Sequence, residues 1–294
     1  MRSLCVEMRI LLRCSVFFCI LFLGCTKLDP KIEVPAYIQI DNYNVVTDTS
    51  TQGTSNQSFT NVLVLTSTQN LGYYPLPARI PILQNGSTRL NIRPVIEVNG
   101  VKALRVDYPV MAGCDSTFSL KEGEVINIKP TFRYYNSSTF PVLEDFEKAN
   151  RILVNSDATD SVTAVTDHAN AIYGNKCLRM QLDATHGACQ VQSVTGFSIS
   201  TSAANTYLEL NYKGNVDLEV GVIGSSNPGF IQNADRRSPG GVKATSVWKK
   251  VYINLSEIVR YPPVNYCYFL YFYISNSSDP NAQVYIDNVK VVRQ

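Results

Sequence analysis

Apolar and polar residues alternate with a period of two along most of this chain. Leu63 and Leu65, Leu90 and Ile92, Leu104 and Val106, and Ile126 and Ile128 each fall on one side of an extended segment, the spacing that sends side chains to one face of a β-strand. The same rhythm returns in Leu178, Met180 and Leu182, in Leu208, Leu210 and Tyr212, and in Val216, Leu218, Val220 and Val222. Asn85-Gly86 and Asn99-Gly100 stand between such runs, and Asn-Gly supplies the two positive-φ residues of a tight hairpin. Helical spacing is hard to find after residue 24. The pattern predicts an all-β protein of two β-sandwich domains, one over 36–135 and one over 142–294. The polar stretch 136–141, Asn-Ser-Ser-Thr-Phe-Pro, marks a linker between them.

The beginning of the chain is built differently. Arg2, Arg9 and Arg13 precede a ten-residue apolar run from Cys14 to Leu23, and Gly24-Cys25 follows. A positive start, a short apolar segment and a small residue describe a secretory signal peptide. Ten residues are too few to cross a hydrocarbon layer that needs roughly 20. With Cys25 placed directly after Gly24, residues 1–24 resemble a bacterial lipoprotein signal, which implies cleavage before Cys25 and lipid attachment to it. An ordinary signal cut elsewhere is the alternative. Residues 25–35, with Pro30 and Pro35, read as a polar tether. Lys27 and Asp29 partly resemble the surface-export signal of Bacteroidetes lipoproteins, which leaves the membrane face open. The resemblance implies an outer-membrane protein held to the bilayer through lipid on Cys25.

The first sandwich is similar in size and strand spacing to Ig-like domains, without their Cys…Trp…Cys signature. The second resembles the galactose-binding-like jelly roll of many carbohydrate-binding modules. The likeness rests on Leu143-Glu144-Asp145-Phe146-Glu147, on Tyr173-Gly174-Asn175-Lys176-Cys177-Leu178-Arg179-Met180, on Trp248 through Ser256, and on Val284 through Val292. It implies about eight strands in two stacked sheets. It also implies a structural calcium ion held by Glu147 and Asp287, with backbone oxygens near Gly174–Lys176; capping by Asp287 and solvation of Glu147 are the alternative.

Composition narrows the chemistry. Removal of residues 1–24 takes three basic residues and one acidic one, leaving 23 of each and no electrostatic case for nucleic acid. The eight cysteines reduce to Cys114, Cys177, Cys189 and Cys267 beyond the signal and Cys25. They form no C-x-x-C pair and no zinc pattern. A hairpin turning near Thr185 sets Cys177 opposite roughly position 193, away from Cys189. His168 and His186 are the two histidines, and neither belongs to a hydrolase or metalloprotease motif. The chain therefore reads as a non-enzyme.

Binding residues are sought elsewhere. In the run from Tyr266 to Ile274, Tyr268, Leu270, Phe272 and Ile274 share one face, while Phe269, Tyr271 and Tyr273 share the other. One set is core. The other forms either an open platform for sugar rings or a covered tyrosine face. Residues 224–244 read as a long loop carrying Arg236 and Arg237, which meets an acidic partner or a polysaccharide, or is simply solvated. Asp115-Ser116-Thr117 and Asp160-Ser161-Val162 resemble a short O-glycosylation motif. The first expected function is a binding or assembly role with envelope proteins. Glycan capture by the second sandwich is the alternative, and hydrolysis a remote third.

Overall fold

The computed structural model describes residues 33–156, 164–199, 205–229, 231, 235–260, 263, 266–276, 279 and 281–294. Cys25, the signal segment and the Asp160-Ser161-Val162 motif lie outside the described residues. Strands account for nearly all regular structure.

The first sandwich comprises β1 (Ala36–Ile40), β2 (Asn44–Val46), β3 (Asn61–Thr66), β4 (Asn70–Pro75), β5 (Ala78–Ile82) and β6 (Gly86–Glu97). It continues with β7 (Arg105–Asp107), β8 (Met111–Ala112), β9 (Cys114–Leu120), β10 (Val125–Asn127) and β11 (Thr131–Tyr134). A sheet in the order β4-β3-β6-β7, with β9 also on β6, packs on two three-stranded sheets, β10-β1-β5 and β2-β11-β8. Their shared core holds Ile38, Val62, Val64, Ile80, Leu90 and Phe132.

Two alternations shift from their expected faces. In β3 the deepest residues are Val62 and Val64, both fully buried, rather than Leu63 and Leu65. Leu104 lies before β7 and is exposed. Asn85-Gly86 is no hairpin turn, because β5 pairs with β1 and β6 with β3, β7 and β9. Asn99-Gly100 does connect the paired strands β6 and β7, with φ of 55° and 71°.

The second sandwich holds β12 (Thr139–Glu144), β13 (Leu153–Asn155), β14 (Ala164–Asp167), β15 (Cys177–Gln181), β16 (Ala188–Ser193) and β17 (Thr206–Gly214). After these come β18 (Leu218–Ser225), β19 (Arg236–Val242), β20 (Thr245–Asn254), β21 (Cys267–Ser275) and β22 (Gln283–Arg293). A six-stranded sheet, β14-β15-β22-β17-β20 with β12 also on β22, stacks on a five-stranded sheet, β13-β16-β21-β18-β19. The expected alternations hold here: Leu178, Met180, Leu208, Leu210, Val220 and Val222 are all fully buried in the core between the sheets. Burial of each such side chain stabilises by about 1.5–3 kcal/mol.

Three expectations need correction. The stretch 136–141 runs into β12, which starts at Thr139 and pairs with the central β22. Residues 224–244 are not one loop, since Arg236–Val242 forms β19 against β18. β15 does not pair with β16: it lies between β14 and β22 in one sheet while β16 lies in the other. Cys177 and Cys189 thus belong to opposite sheets, and none of the four described cysteines is in a disulfide.

Candidate functional site

The outer face of the six-stranded sheet carries the notable chemistry. Leu208, Leu210 and Tyr212 turn inward, so Tyr207, Glu209, Asn211 and Lys213 turn outward. Register aligns each with a partner on either side. Glu209 faces Tyr252 on β20 and Lys290 on β22, and Asn211 faces Lys250 and Asp287. Asp287 and Lys290 are three residues apart yet point the same way, because β22 bulges between them and Asn288 adopts a φ of 50°.

The upper rows lie under the first sandwich. Glu209 is fully buried. Its Oε1 accepts hydrogen bonds from the hydroxyls of Tyr108 (2.7 Å) and Tyr134 (2.6 Å), and its Oε2 accepts one from Gln57 Nε2 (2.7 Å). Lys250 Nζ stands 3.3 Å from Oε2 as an ion pair, without hydrogen-bond alignment. Lys290 Nζ donates to the carbonyls of Gln52 (2.7 Å) and Thr54 (2.9 Å) in and beside α1 (Thr49–Gln52). Burial alone raises a carboxyl's pKa, yet the charges of Lys250 and Lys290 and these hydrogen bonds hold Glu209 below its ordinary range. Burial pushes Lys290 down to about 8. It also raises Tyr108 and Tyr134, so both hydroxyls keep the protons they donate.

Aromatic packing completes this contact. Tyr252 stacks on Phe59 at 5.9 Å, and Tyr108 meets Tyr207 and Tyr252 edge-on at 5.3 and 5.2 Å. Asn99 of the β6–β7 turn docks on the edge of β20: its N–H donates to the Tyr252 carbonyl (2.8 Å), and its Oδ1 accepts from Asn254 N–H (2.8 Å).

The lower row of the same face has no such cover. Lys213 Nζ lies 5.3 Å from the Trp248 ring centroid and 4.9 Å from that of Tyr285, and donates to Asn170 Oδ1 at 2.8 Å. The ammonium therefore sits between two half-buried rings on neighbouring strands. A groove of ≈ 480 Å³ borders the row, lined by Asn170, Lys213, Thr245, Ser246, Gln283 and Tyr285. A cleft of ≈ 560 Å³ between the sandwiches is also lined by Trp248, with Asn61, Glu97, Lys102, Arg105 and Lys249.

The residues expected to bind occupy other places. Phe269 and Tyr271 are 1% and 0% exposed, so their face of β21 is covered rather than open. The Arg236 guanidinium lies 4.3 Å from the Tyr271 centroid and 4.6 Å from that of Tyr273, and donates to Gln190 and Glu219. Gly221 makes room below, since a Cβ there would collide with the Arg237 carbonyl oxygen and the Tyr271 ring. Only Tyr273 keeps partial access, beside a cleft of ≈ 450 Å³ lined by Asp217, Glu219 and Lys243. Arg237 is committed to the Asp235 carboxylate (2.8 and 3.0 Å) and to the Ile258 carbonyl (2.9 Å).

Glu147 and Asp287 do come to one loop, through donors of the wrong polarity for a cation. Glu147 Oε1 accepts from the N–H groups of Asn175 (2.7 Å) and Lys176 (2.8 Å). Asp287 accepts from the N–H groups of Asn288, Ile172 and Tyr173. The turn depends on Gly174, whose φ is 73° and where a Cβ would collide with the Glu147 carboxylate. Calcium needs six to eight inward oxygens. This loop offers N–H groups to the carboxylates, and among the described residues no three His, Cys, Asp or Glu side chains gather as a metal group. These residues do not fit a calcium ion. Burial instead pushes Asp287 up to about 6.

His186 Nδ1 lies 2.9 Å from the Asp183 carboxylate and 3.0 Å from Thr185 Oγ1. Both contacts lie within one turn.

The Trp248–Lys213–Tyr285 row was missed from sequence because its members lie far apart and meet only through the registers of β17. The available signal was the phase of the inward residues, which sends Lys213 and Tyr285 outward.

No protein-family profile and no curated protein matches the chain. Among solved structures it is similar to a family 30 carbohydrate-binding module (15% identity, TM-score 0.39, 52% of this chain and 97% of that one). It is also similar to the CBM22-1 xylan-binding domain of Paenibacillus barcinonensis Xyn10C (12%, 0.37, 54% and 97%). A third such structure is TmCBM61 in complex with β-1,4-galactotriose (14%, 0.32, 48% and 87%).

Proposed function

We propose that this chain is a non-catalytic glycan-binding protein, held at the bacterial outer membrane by lipid on Cys25. The glycan reading is carried by the partly exposed row of Trp248, Lys213 and Tyr285. Sugar rings have apolar C–H faces that pack on aromatic rings, and hydroxyls that take hydrogen bonds from amides and ammonium groups. Asn170, Gln283 and Thr245 supply polar groups beside the rings. The bordering clefts of ≈ 480 and ≈ 560 Å³ fall within the ~300–1,000 Å³ common for ligand sites.

The commitments of the acidic groups support a role without catalysis. Glu209 is enclosed by tyrosine hydroxyls, Glu147 and Asp287 by backbone N–H groups, and Asp183 by its own turn. Of the two carboxylates that share the cleft beside Tyr273, Asp217 accepts from Lys243 and the Ala244 N–H, and Glu219 from Arg236 and the Tyr271 hydroxyl. The anchor is supported by the Arg-rich start, the apolar run and Gly24-Cys25.

A glycan array probed with the full-length chain in detergent tests the binding role. Retention of a glycan, lost in Trp248→Ala, is the expected result. A blank array, together with a stoichiometric protein partner recovered from native membranes, overturns it in favour of the assembly role. Intact mass of the native protein tests the anchor: the chain must begin at Cys25 and carry acyl mass.

A further inference from the structure

We infer that the glycan is acidic, and that it runs from the Trp248 row into the cleft between the sandwiches. The inference rests on the glycan reading above and adds the ligand's charge and path. Five cationic residues line the row and the interdomain cleft: Lys213, Lys249 and Lys250 from the second sandwich, Lys102 and Arg105 from the first. Lys250 is buried and paired with Glu209, which leaves the other four. One carboxylate there, Glu97, stands among the surface groups, 3.9 Å from Arg105. Lys102, Lys213 and Lys249 form no ion pair among the described residues, and Lys213 spends its hydrogen bond on an amide. The whole chain is close to neutral at +2, so this excess is local.

The contrast with the cleft beside Tyr273 sharpens the point. Asp217 and Glu219 line that cleft, and Lys243 there is already paired with Asp217 at 2.6 Å. Glu219 is paired with Arg236 in turn at 3.1 Å, so the charges of that cleft are matched internally and none of these cations is left for an anionic ligand. A sugar acid combines what the Trp248 row offers: an apolar ring face for the indole and a carboxylate or sulfate for the neighbouring ammonium groups. Lys102 and Arg105 make the first sandwich part of the site rather than a spacer.

Exposed ion pairs are individually weak and salt-screened, so the signature is collective. The test uses the full-length chain in detergent on an array of uronate, sialylated, sulfated and neutral glycans, with a single-stranded oligonucleotide as a charge control. Titration of a retained glycan follows at low and high salt. An acidic glycan should be retained and should weaken with salt. The combined K102Q, R105Q and K249Q variant should bind it about tenfold more weakly, as expected for three rim charges lost together. Equal retention of neutral glycans, with Trp248→Ala still abolishing binding, overturns the acidic assignment and leaves the glycan reading standing. No retained glycan at all fells both. Equal retention of the oligonucleotide overturns the assignment, because the face would then read charge alone. An unchanged unfolding midpoint in the triple variant separates lost contacts from lost fold.

Discussion

Two halves of one sheet face, made by the same three strands, use the same ingredients to opposite ends. In the upper half a lysine, a carboxylate and tyrosines are sealed beneath the first sandwich, and every oxygen of Glu209 is occupied. In the lower half a lysine stands between Trp248 and Tyr285 with clefts beside it. The difference lies in what covers them. Desolvating a charge costs more than a single contact returns, so the sealed Glu209 takes three hydrogen bonds and the Lys250 ion pair. An open charge keeps its water and can exchange it for a ligand. The upper half thus fixes the two sandwiches against each other, and the lower half is left for recognition.

The comparison breaks most visibly at Glu209. Glu209→Ala leaves Lys250 and Lys290 buried without their carboxylate and should destabilise by about 3–5 kcal/mol in urea unfolding. A loss within experimental error would mean that the upper half is not held by charge. Next in size, Tyr134→Phe or Tyr108→Phe removes one hydrogen bond to a buried charge and should cost about 1.5–3 kcal/mol each.

The border between the halves is open to a pH test. Asp287 is pushed up by burial from 3.8 to about 6, so the folded state holds its proton more tightly than the unfolded chain. Its contribution to stability therefore falls as pH rises through that window. Unfolding midpoints of Asp287→Asn should lack this decline; an identical profile would remove Asp287 from the account. The smallest stability effect is expected in the lower half. Trp248→Ala removes a half-buried ring and should cost about 1 kcal/mol while removing glycan retention. A large destabilisation would show that the row is structural.

Much of this plan was legible in the sequence. The inward phases of Leu208-Leu210-Tyr212 and Leu178-Met180-Leu182 identified strands and core face together. Strand partners were not legible, because period-two patterns carry no information on register between distant strands. That is why β15 was matched to β16 rather than β22, and why Trp248, Lys213 and Tyr285 stayed apart. The aromatic strand β21 was found, but its outer face was misread as accessible in one of two readings. Arg236 comes from β19, a strand of Arg-Arg-Ser-Pro-Gly-Gly-Val that has the composition of a loop.

β22 has a consequence for folding. It is the last strand of the second sandwich in chain order, yet it fills the slot between β15 and β17 in mid-sheet and pairs with β12 as well. Until it docks, three strands keep an unpaired edge, and unpaired edges invite association with other chains. The second sandwich therefore closes in one late step, and a chain cut within β22 should give an insoluble product rather than a slightly shortened one.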